Sequence, residues 1–264
     1  MEDGHYRPSC QPYQKVAIIV PYRLREKQLK IFINNVIPRI YRQKQEFTIY
    51  LVEQADTNPF NRGLLANIGY QSAIADQNFD CIVIHDVDML PEDDRNLYFC
   101  SNHSVYHLAG KRERYKYSLL YRRFAGGITS LSILQYRDVN GFSNAFCGWG
   151  GEDDDFEQRI NSAGYNLERP LMVYSHCGEV EHQTEKPNEE RYAVMNAVRD
   201  IWKTEGLNSL QYDLIKKENK KLFKWIYVNT NCTTINCSTN IGSEYTLVML
   251  MSLMYFILYL LYYL

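Results

Sequence analysis

Short apolar runs alternate with longer amphipathic stretches in the first third of the chain. Continuous apolar runs at 16–20, 47–52 and 81–84 predict three buried strands, because they are too short for helices and are bounded by polar or turn residues. Between them, apolar residues recur at helical spacing over 26–43 and 61–76. We expect Pro21 to end the first strand and Pro38 to kink or end the first helix.

This order of strand, helix, strand, helix and strand is typical of an α/β fold in which a parallel-rich sheet carries helices on both faces. In such folds ligands bind beyond the carboxyl ends of the strands. Arg23, Asn61 and Asp88 each follow a predicted strand or begin the next helix, so we expect them to converge on one crevice. The second half of the chain is less regular, since glycines at 126–127, 141 and 148–151 divide it into loops.

The two ends of the chain differ in polarity. Residues 1–15 are polar and lack the apolar core of a signal peptide. Residues 245–264 carry no charge, and a helix of that length is about 30 Å long, which predicts a membrane span; a buried helix and a lipid-anchor signal are the alternatives. Residues 230–244 have the Asn, Thr, Cys and Ser content of a linker, which leaves 1–229 as the main domain.

Composition narrows the class of protein. Hydrophobic residues make up 45% and charged residues 23%, which is typical of a globular chain. The net charge of −2 disfavours a protein that binds by neutralising phosphates, so we expect no nucleic-acid partner. The 22 tyrosines suit wet clefts and sugar faces. Seven cysteines leave at least one without a partner inside the chain.

The first candidate site is Asp86-Val87-Asp88, directly after the third predicted strand. Two carboxylates one residue apart can both reach a hard divalent cation. An EF-hand is excluded, because Leu90 and Pro91 stand where an oxygen ligand and a turn glycine are required. A solvated acidic turn remains the alternative, since residues 92–94 are also acidic.

The second candidate is segment 148–155, in which glycines flank Trp149 and four carboxylates follow. An indole face can pack on a sugar ring, and a nearby carboxylate can accept a hydroxyl proton as general base. The alternative is the start of a helix over 155–163, because acidic residues favour a first helical turn. Both interpretations can hold, with the first carboxylates in a cleft and the last ones capping the helix.

Isolated residues give weaker signals. His182, close after Glu179, offers an imidazole that suits Mn²⁺ or Zn²⁺. Arg23, Arg25 and Arg62 follow strands and can hold a diphosphate through forked hydrogen bonds. Each of these residue types is also common in structural or surface positions.

The order of the motifs along the chain links these signals. The sequence contains PYRLR at 21–25, FNRG at 60–63, HDVDMLPEDD at 85–94, GG at 126–127, NGFSN at 140–144, GWGGEDDD at 148–155 and GLNSLQY at 206–212. This set resembles the β-1,4-galactosyltransferase family over about 10–228. The resemblance implies a GT-A fold with a nucleotide-binding α/β half and acceptor loops. It also implies Mn²⁺-dependent, inverting transfer of galactose from UDP-galactose to the 4-hydroxyl of a terminal GlcNAc, or of xylose or glucose in some members.

The resemblance assigns roles to matching residues. Those implied to bind the nucleotide sugar are Pro21, Tyr22, Arg23, Arg25, Phe60, Arg62, Asp86, Val87 and Trp149. Those implied to act in catalysis are Asp153 as general base, Glu152 and Asp154 as hydroxyl contacts, and Trp149 as a mobile cover. Those implied to bind the acceptor are Tyr121, Phe124, Asp154, Arg191, Tyr192 and Met195. Those implied to hold the metal are Asp88 and His182.

The chain departs from the family pattern at four positions. Glu179 replaces a metal-site Met, and because a carboxylate is a harder ligand than a thioether, we expect it to complete the site and widen tolerance towards Mg²⁺. Phe124 replaces the donor-gating Tyr and keeps the ring, which favours galactose over GalNAc. Cys147 and Ala125 replace aromatic residues of the acceptor segment. A UDP-GalNAc transferase and a sugar-nucleotide-binding protein without turnover remain the alternative functions.

The cysteines point to a location. Cys81 and Cys100 match a family disulfide, and Cys10 matches a second one whose partner lies upstream. Disulfides and sequons at 102–104, 231–233 and 236–238 favour an oxidising lumen, so we expect a Golgi membrane protein with a lumenal catalytic domain. Family members carry an N-terminal span, whereas the apolar segment here is C-terminal, which leaves the membrane topology open.

Overall fold

The computed structural model describes residues 1–181 and 185–230. The strands are β1 His5–Tyr6, β2 Lys15–Tyr22, β3 Glu46–Gln54, β4 Cys81–His85, β5 Met89–Pro91, β6 Ser104–His107, β7 Lys111–Arg112, β8 Ile128–Ser132, β9 Asn166–Glu168, β10 His176–Glu179, β11 Asp213–Asn219 and β12 Lys224–Asn229. The α-helices are α1 Glu26–Arg42, α2 Arg62–Asp76, α3 Ile133–Asp138, α4 Glu152–Ser162 and α5 Arg191–Val198.

The three strands expected from the apolar runs form the centre of the main sheet. Strand β2 pairs in parallel with β3 on one side and with β4 on the other. The sheet order is β11-β12-β3-β2-β4-β8-β6-β9, and β1 pairs with the first part of β3, before the residues that pair with β12. Because β8 runs antiparallel to β4 and β6, the sheet is mixed. The expected α/β class is therefore confirmed, although the sheet as a whole is less parallel than the first three strands suggest.

Alternation along β2 sends side chains to two apolar layers. Ile19 packs in the layer that contains α2, together with Tyr136 of α3 and Phe156 of α4. Ile18 packs in the layer beneath α1, together with Phe32. Helices therefore cover both faces of the sheet, as the sequence predicts, and β2 is buried from both sides.

The two prolines behave differently from the prediction. Pro21 lies inside β2, because pairing with β4 stops at Ile19 while pairing with β3 continues to Tyr22. The missing N–H of Pro21 therefore interrupts no bond to β4. Pro38 lies inside α1, which continues to Arg42. Both Pro38 and Asn34, whose carbonyl loses its helical partner, are exposed, so water can satisfy that carbonyl.

A second, three-stranded sheet has the order β5-β10-β7. Strand β10 runs antiparallel to β5 and parallel to β7. Glu179 is opposite Met89 in this register, next to Asp88 in the chain. The small sheet thus brings the segment around Glu179 to the end of β4.

The predicted membrane span at 245–264 lies outside the described residues. Among residues 1–181 and 185–230, no helix has both the length and the apolar character needed to cross a bilayer.

The Cys81–Cys100 disulfide is present, as the resemblance implies. It ties the start of β4 to the segment before β6. Cys147 is also disulfide-bonded. The thiol of Cys10 is free and exposed, and that of Cys177 is free and buried.

Loss of the Cys81–Cys100 bridge should destabilise the protein without changing its fold. The bond closes a loop with a sequence separation of 19, so the Cys81→Ser/Cys100→Ser variant should lose about 3 kcal/mol of unfolding free energy in urea titrations. Cys10→Ser is the matched control and should unfold like the wild type. Equal unfolding free energies for the wild type and the double variant would show that the bridge does not stabilise the fold.

Candidate functional site

A cleft of about 400 Å³ opens at the carboxyl ends of β2, β3 and β4. Its wall contains most of the residues that the sequence analysis singled out. These are Pro21, Arg23, Arg25, Phe60, Arg62, Asp86, Val87, Asp88, Tyr121, Phe124, Trp149, Glu152, Asp153, Asp154, Glu179, Arg191 and Tyr192. Two of the three residues expected to meet here, Arg23 and Asp88, line the cleft.

Asn61, the third, is fully buried and acts beneath the cleft. Its side chain accepts a hydrogen bond from the Leu64 N–H at 2.9 Å, which caps the start of α2. Its amide also donates to the Asn144 carbonyl at 2.7 Å. Asn61 therefore fixes the position of Phe60 and Arg62 on either side of it.

Arg62, the first residue of α2, lies at the centre of the charged cluster. Its Nε is 2.6 Å from an Asp86 carboxylate oxygen, and another guanidinium nitrogen is 3.0 Å from Asp153. The guanidinium also lies 5.4 Å from the Phe142 ring centroid. Burial raises the pKa of Asp86 to about 6, against the opposing positive charge of Arg62. Arg62 thus joins carboxylates from two distant parts of the chain.

The acidic segment both begins a helix and lines the cleft. Helix α4 starts at Glu152, three residues earlier than the sequence predicts, after Gly151 with a φ of +98°. The first three carboxylates line the cleft. The fourth, Asp155, is buried and binds Arg159 at 2.7 Å, which in turn binds Glu205 at 2.6 Å. Both interpretations of this segment therefore apply, each to different residues. The first three carboxylates lie in the cleft, and the fourth forms ion pairs within the protein.

Two neighbours fix the carboxylates of Asp153 and Asp154. A Cβ added to Gly126 would lie 2.2 Å from Asp153 Oδ2, so the present position of that oxygen depends on the glycine. The Tyr121 hydroxyl donates to Asp154 Oδ1 at 2.6 Å. The cleft therefore holds two acidic side chains that are tied in place from opposite sides.

Glu152 is the most deeply buried of the cleft carboxyls. One of its oxygens has no hydrogen-bond partner among the described residues. Burial, with a further contribution from Asp153, raises the pKa of Glu152 to about 8. Glu152 is consequently a neutral acid over much of the physiological range.

Trp149 lies on a loop of glycines at the mouth of the cleft. The indole is 50% exposed. Gly148 donates to the Phe60 carbonyl at 2.9 Å, and the Trp149 carbonyl accepts from Asn188 at 2.9 Å. Gly148 and Gly150 have φ values of +85° and +105°. The loop is thus held at a few backbone points while its large side chain stays accessible.

The proposed metal ligands are only partly described. Among residues 1–181 and 185–230, no three His, Cys, Asp or Glu side chains are grouped so as to hold a metal ion, and His182 lies outside those ranges. Asp88 and Glu179 both line the cleft, and the Val180 N–H donates to the Asp88 carbonyl at 2.9 Å. One Glu179 oxygen is buried without a hydrogen-bond partner in the described part of the chain. Two carboxylates, one with an unmatched oxygen, fit a hard divalent cation.

Family models match both halves of this region. One, described as the N-terminal region of glycosyl transferase group 7, matches residues 1–101. Another, described as the N-terminal domain of galactosyltransferase, matches residues 106–183. Both descriptions are of sugar transferases.

Curated relatives agree with this assignment. Pig β-1,4-galactosyltransferase 5 is 43% identical over 79% of this chain and 54% of its own length. Bovine β-1,4-galactosyltransferase 3 is 38% identical over 92% of this chain and 62% of its own length. The chain belongs to the β-1,4-galactosyltransferase family. The chain therefore spans a little over half the length of these relatives.

A solved family structure has the same fold. The catalytic domain of Drosophila β-1,4-galactosyltransferase 7, solved as a complex with xylobiose, superposes with a TM-score of 0.74 at 28% identity. The superposition covers 84% of this chain and 97% of that domain. A mutant of the same enzyme, with a TM-score of 0.70, was solved with manganese, UDP-Gal and xylobiose. The GT-A-like architecture of this family member is thereby confirmed.

Of the residues that the galactosyltransferase resemblance singled out and that the structure describes, two lie outside the cleft wall. Tyr22 is only 4% exposed and packs in the layer beneath α1. Met195 packs on a small cluster that includes Phe146 and Val198, and its sulfur accepts from the Gln158 amide at 3.5 Å. Their proposed roles remain predictions.

Sequence reasoning missed several residues of the cleft wall in this galactosyltransferase-family chain. These include Arg112, Arg114, Tyr115, Leu120 and Glu185. The basic run at 111–114 was the available signal, but its place in the cleft depends on the pairing of β7 with β10. Basic runs are usually solvated surface, so the sequence alone gave no reason to prefer a cleft.

Glu152 should make stability depend on pH. Its ordinary pKa of 4.5 is raised to about 8 on folding, so the unfolded chain loses this proton first and the free energy of unfolding falls between those two values. As the pH rises from 5 to 8.5, the unfolding free energy of Glu152→Gln should therefore increase relative to that of the wild type by about 1 kcal/mol or more. Urea titrations without added ligand measure this difference. A constant difference across that range would contradict the prediction.

Proposed function

We propose that this protein transfers galactose from UDP-galactose to the 4-hydroxyl of a terminal GlcNAc or related sugar, with inversion and with Mn²⁺ or Mg²⁺ as cofactor. The observation that carries the proposal is the single cleft, in which strand-end arginines, the Asp86–Asp88 turn and the acidic start of α4 meet. Family relatives bear galactosyltransferase names, and a related structure was solved with manganese, UDP-Gal and xylobiose.

The donor side is supported by the arginines that follow β2. Arg23 donates to the Asn58 carbonyl at 2.5 Å, and its guanidinium lies 5.2 Å from the Phe60 ring centroid. Another of its nitrogens is 3.5 Å from Glu185. These contacts hold Arg23 at the cleft. There its guanidinium group and that of Arg25 can donate paired hydrogen bonds to the oxygens of a diphosphate.

The acceptor side is supported by the carboxylates of α4. Asp153 is oriented by Arg62 on one oxygen and confined by Gly126 on the other. A carboxylate so placed can accept the proton of the attacking hydroxyl. Asp154 and its partner Tyr121 then offer hydrogen bonds to neighbouring sugar hydroxyls. Glu152, as a neutral acid, can donate a hydrogen bond to an oxygen of the acceptor sugar or of the donor sugar.

Asp88, Glu179 and His182 are the proposed cation-holding residues. When bound, the cation supplies positive charge next to the departing diphosphate. Trp149, half exposed on its glycine loop, is suited to cover the sugar and exclude water, which favours transfer over hydrolysis.

We also propose a lumenal location for the catalytic portion in the Golgi, anchored through 245–264. The Cys81–Cys100 disulfide supports an oxidising compartment. Protease protection in sealed vesicles tests on which side of the membrane the cleft lies.

Replacing the proposed base should remove transfer but keep nucleotide binding. The full chain, incubated with UDP-galactose, Mn²⁺ and GlcNAc, glucose or xylose acceptors, should release UDP and form a β-linked disaccharide. Asp153→Asn should lower the turnover rate by about 10²–10⁴-fold, because the proton acceptor is lost. UDP affinity, measured by calorimetry, should change little.

Asp138→Asn is the matched control, because Asp138, the last residue of α3, accepts a hydrogen bond from the Tyr165 hydroxyl and does not line the cleft. It should retain full activity. Faster transfer from UDP-GalNAc than from UDP-galactose would show that UDP-GalNAc, and not UDP-galactose, is the donor. Binding of UDP and Mn²⁺ without transfer to any acceptor would favour the non-catalytic alternative.

Glu179 should broaden the choice of cation. We expect measurable activity with Mg²⁺ in the wild type, because a carboxylate ligand favours hard ions. Glu179→Met should lower the ratio of Mg²⁺-supported to Mn²⁺-supported activity, whereas Glu113→Gln, an exposed acidic residue near the same sheet, should not. Negligible Mg²⁺ activity in the wild type, with a ratio unaltered by Glu179→Met, would rule out this role.

A further inference from the structure

The ion pair between Arg112 and Glu179 lies in the cleft wall and has no role in the function proposed above. One Arg112 nitrogen is 2.8 Å from Glu179 Oε1, and Arg114 approaches the same oxygen at 3.4 Å. Strand β10 carries Glu179 between β5, next to Asp88, and β7, which ends at Arg112. Glu179 is therefore placed between the proposed cation site and a guanidinium.

Each partner of this pair keeps one polar atom unmatched. Glu179 Oε2 and Arg112 Nε are buried and have no hydrogen-bond partner in the described part of the chain. The Glu179 side chain is 10% exposed and that of Arg112 is 13% exposed. Unmade hydrogen bonds at buried polar atoms are costly. The oxygen suits a cation and the N–H suits an anionic oxygen, so the two atoms together fit a cation–diphosphate pair.

We propose that Arg112 is a positioning residue that weakens the hold of Glu179 on the cation until a diphosphate takes over its guanidinium. This inference rests on the proposed function. A guanidinium next to Glu179 opposes the entry of a second positive charge, and it competes for the carboxylate. Diphosphate oxygens satisfy Arg112 and free Glu179 for the cation. Nucleotide and cation consequently raise each other's affinity, since such coupling is reciprocal.

A purely structural ion pair is the competing explanation. Arg112 also lies near the Tyr115 and Phe124 rings, at 5.4 and 5.8 Å from their centroids. If it only braced these rings, its removal would lower stability and leave the coupling between nucleotide and cation unchanged. The coupling is therefore the quantity that separates the two explanations.

Mn²⁺ binding to the full chain, followed by the electron paramagnetic resonance of free Mn²⁺, measures this coupling with and without UDP. Arg112→Gln should raise Mn²⁺ affinity about tenfold without UDP and reduce the enhancement by UDP by a similar factor. In a Glu179→Gln background the same change should have little effect. Arg122→Gln, an exposed arginine of the same segment, is the control and should behave like the wild type.

Unchanged or weaker Mn²⁺ binding in Arg112→Gln would overturn the inference, as would an equal increase in the Glu179→Gln background. If Arg112→Gln does not fold, Arg112→Met, which keeps the aliphatic stem, carries the same test. A wild type that binds neither UDP nor Mn²⁺ refutes the proposed function, and this inference with it. A wild type with coupled binding that Arg112→Gln leaves intact refutes only the role of Arg112.

Discussion

The charge balance of the cleft depends on one buried guanidinium. Arg62 bridges Asp86, at the end of β4, and Asp153, in the first turn of α4. Without it, the carboxylates of Asp86 and Asp153 would repel each other in a region where water screens charge poorly. The ion pairs therefore hold the end of β4 and the first turn of α4 close together, on opposite sides of one guanidinium.

The small sheet adds a second wall to the cleft, with charged residues of its own. The main sheet supplies the Asp86–Asp88 turn. In the small sheet, β7 brings Arg112 and β10 brings Glu179 from later parts of the chain. Carboxylates and guanidinium groups thus alternate around the cleft instead of forming one acidic patch. Such alternation suits a ligand that carries a negative diphosphate at one end and neutral sugar hydroxyls at the other.

Local patterns predicted the parts of the molecule that local physics determines. Apolar runs identified the central strands, and the helical spacing over 61–76 matches α2, which begins at Arg62 after its cap Asn61. Tyr22, which the family resemblance implies to be a nucleotide contact, packs in the core layer beneath α1 because side chains alternate along β2, and its role stays a prediction. The start of α4 was misplaced because Gly151 caps it without a side-chain bond. Arg112 could not be foreseen, since its position depends on the pairing of two short, distant strands.

The close approach of Gly126 to Asp153 has a consequence for sequence change. The nearest atom to any side chain at position 126 would be an oxygen of the Asp153 carboxylate. A larger residue at 126 would require the Asp153 carboxylate or the Phe124 ring to move. The missing side chain at this one position therefore sets the place of an acidic group and of an aromatic wall at the same time.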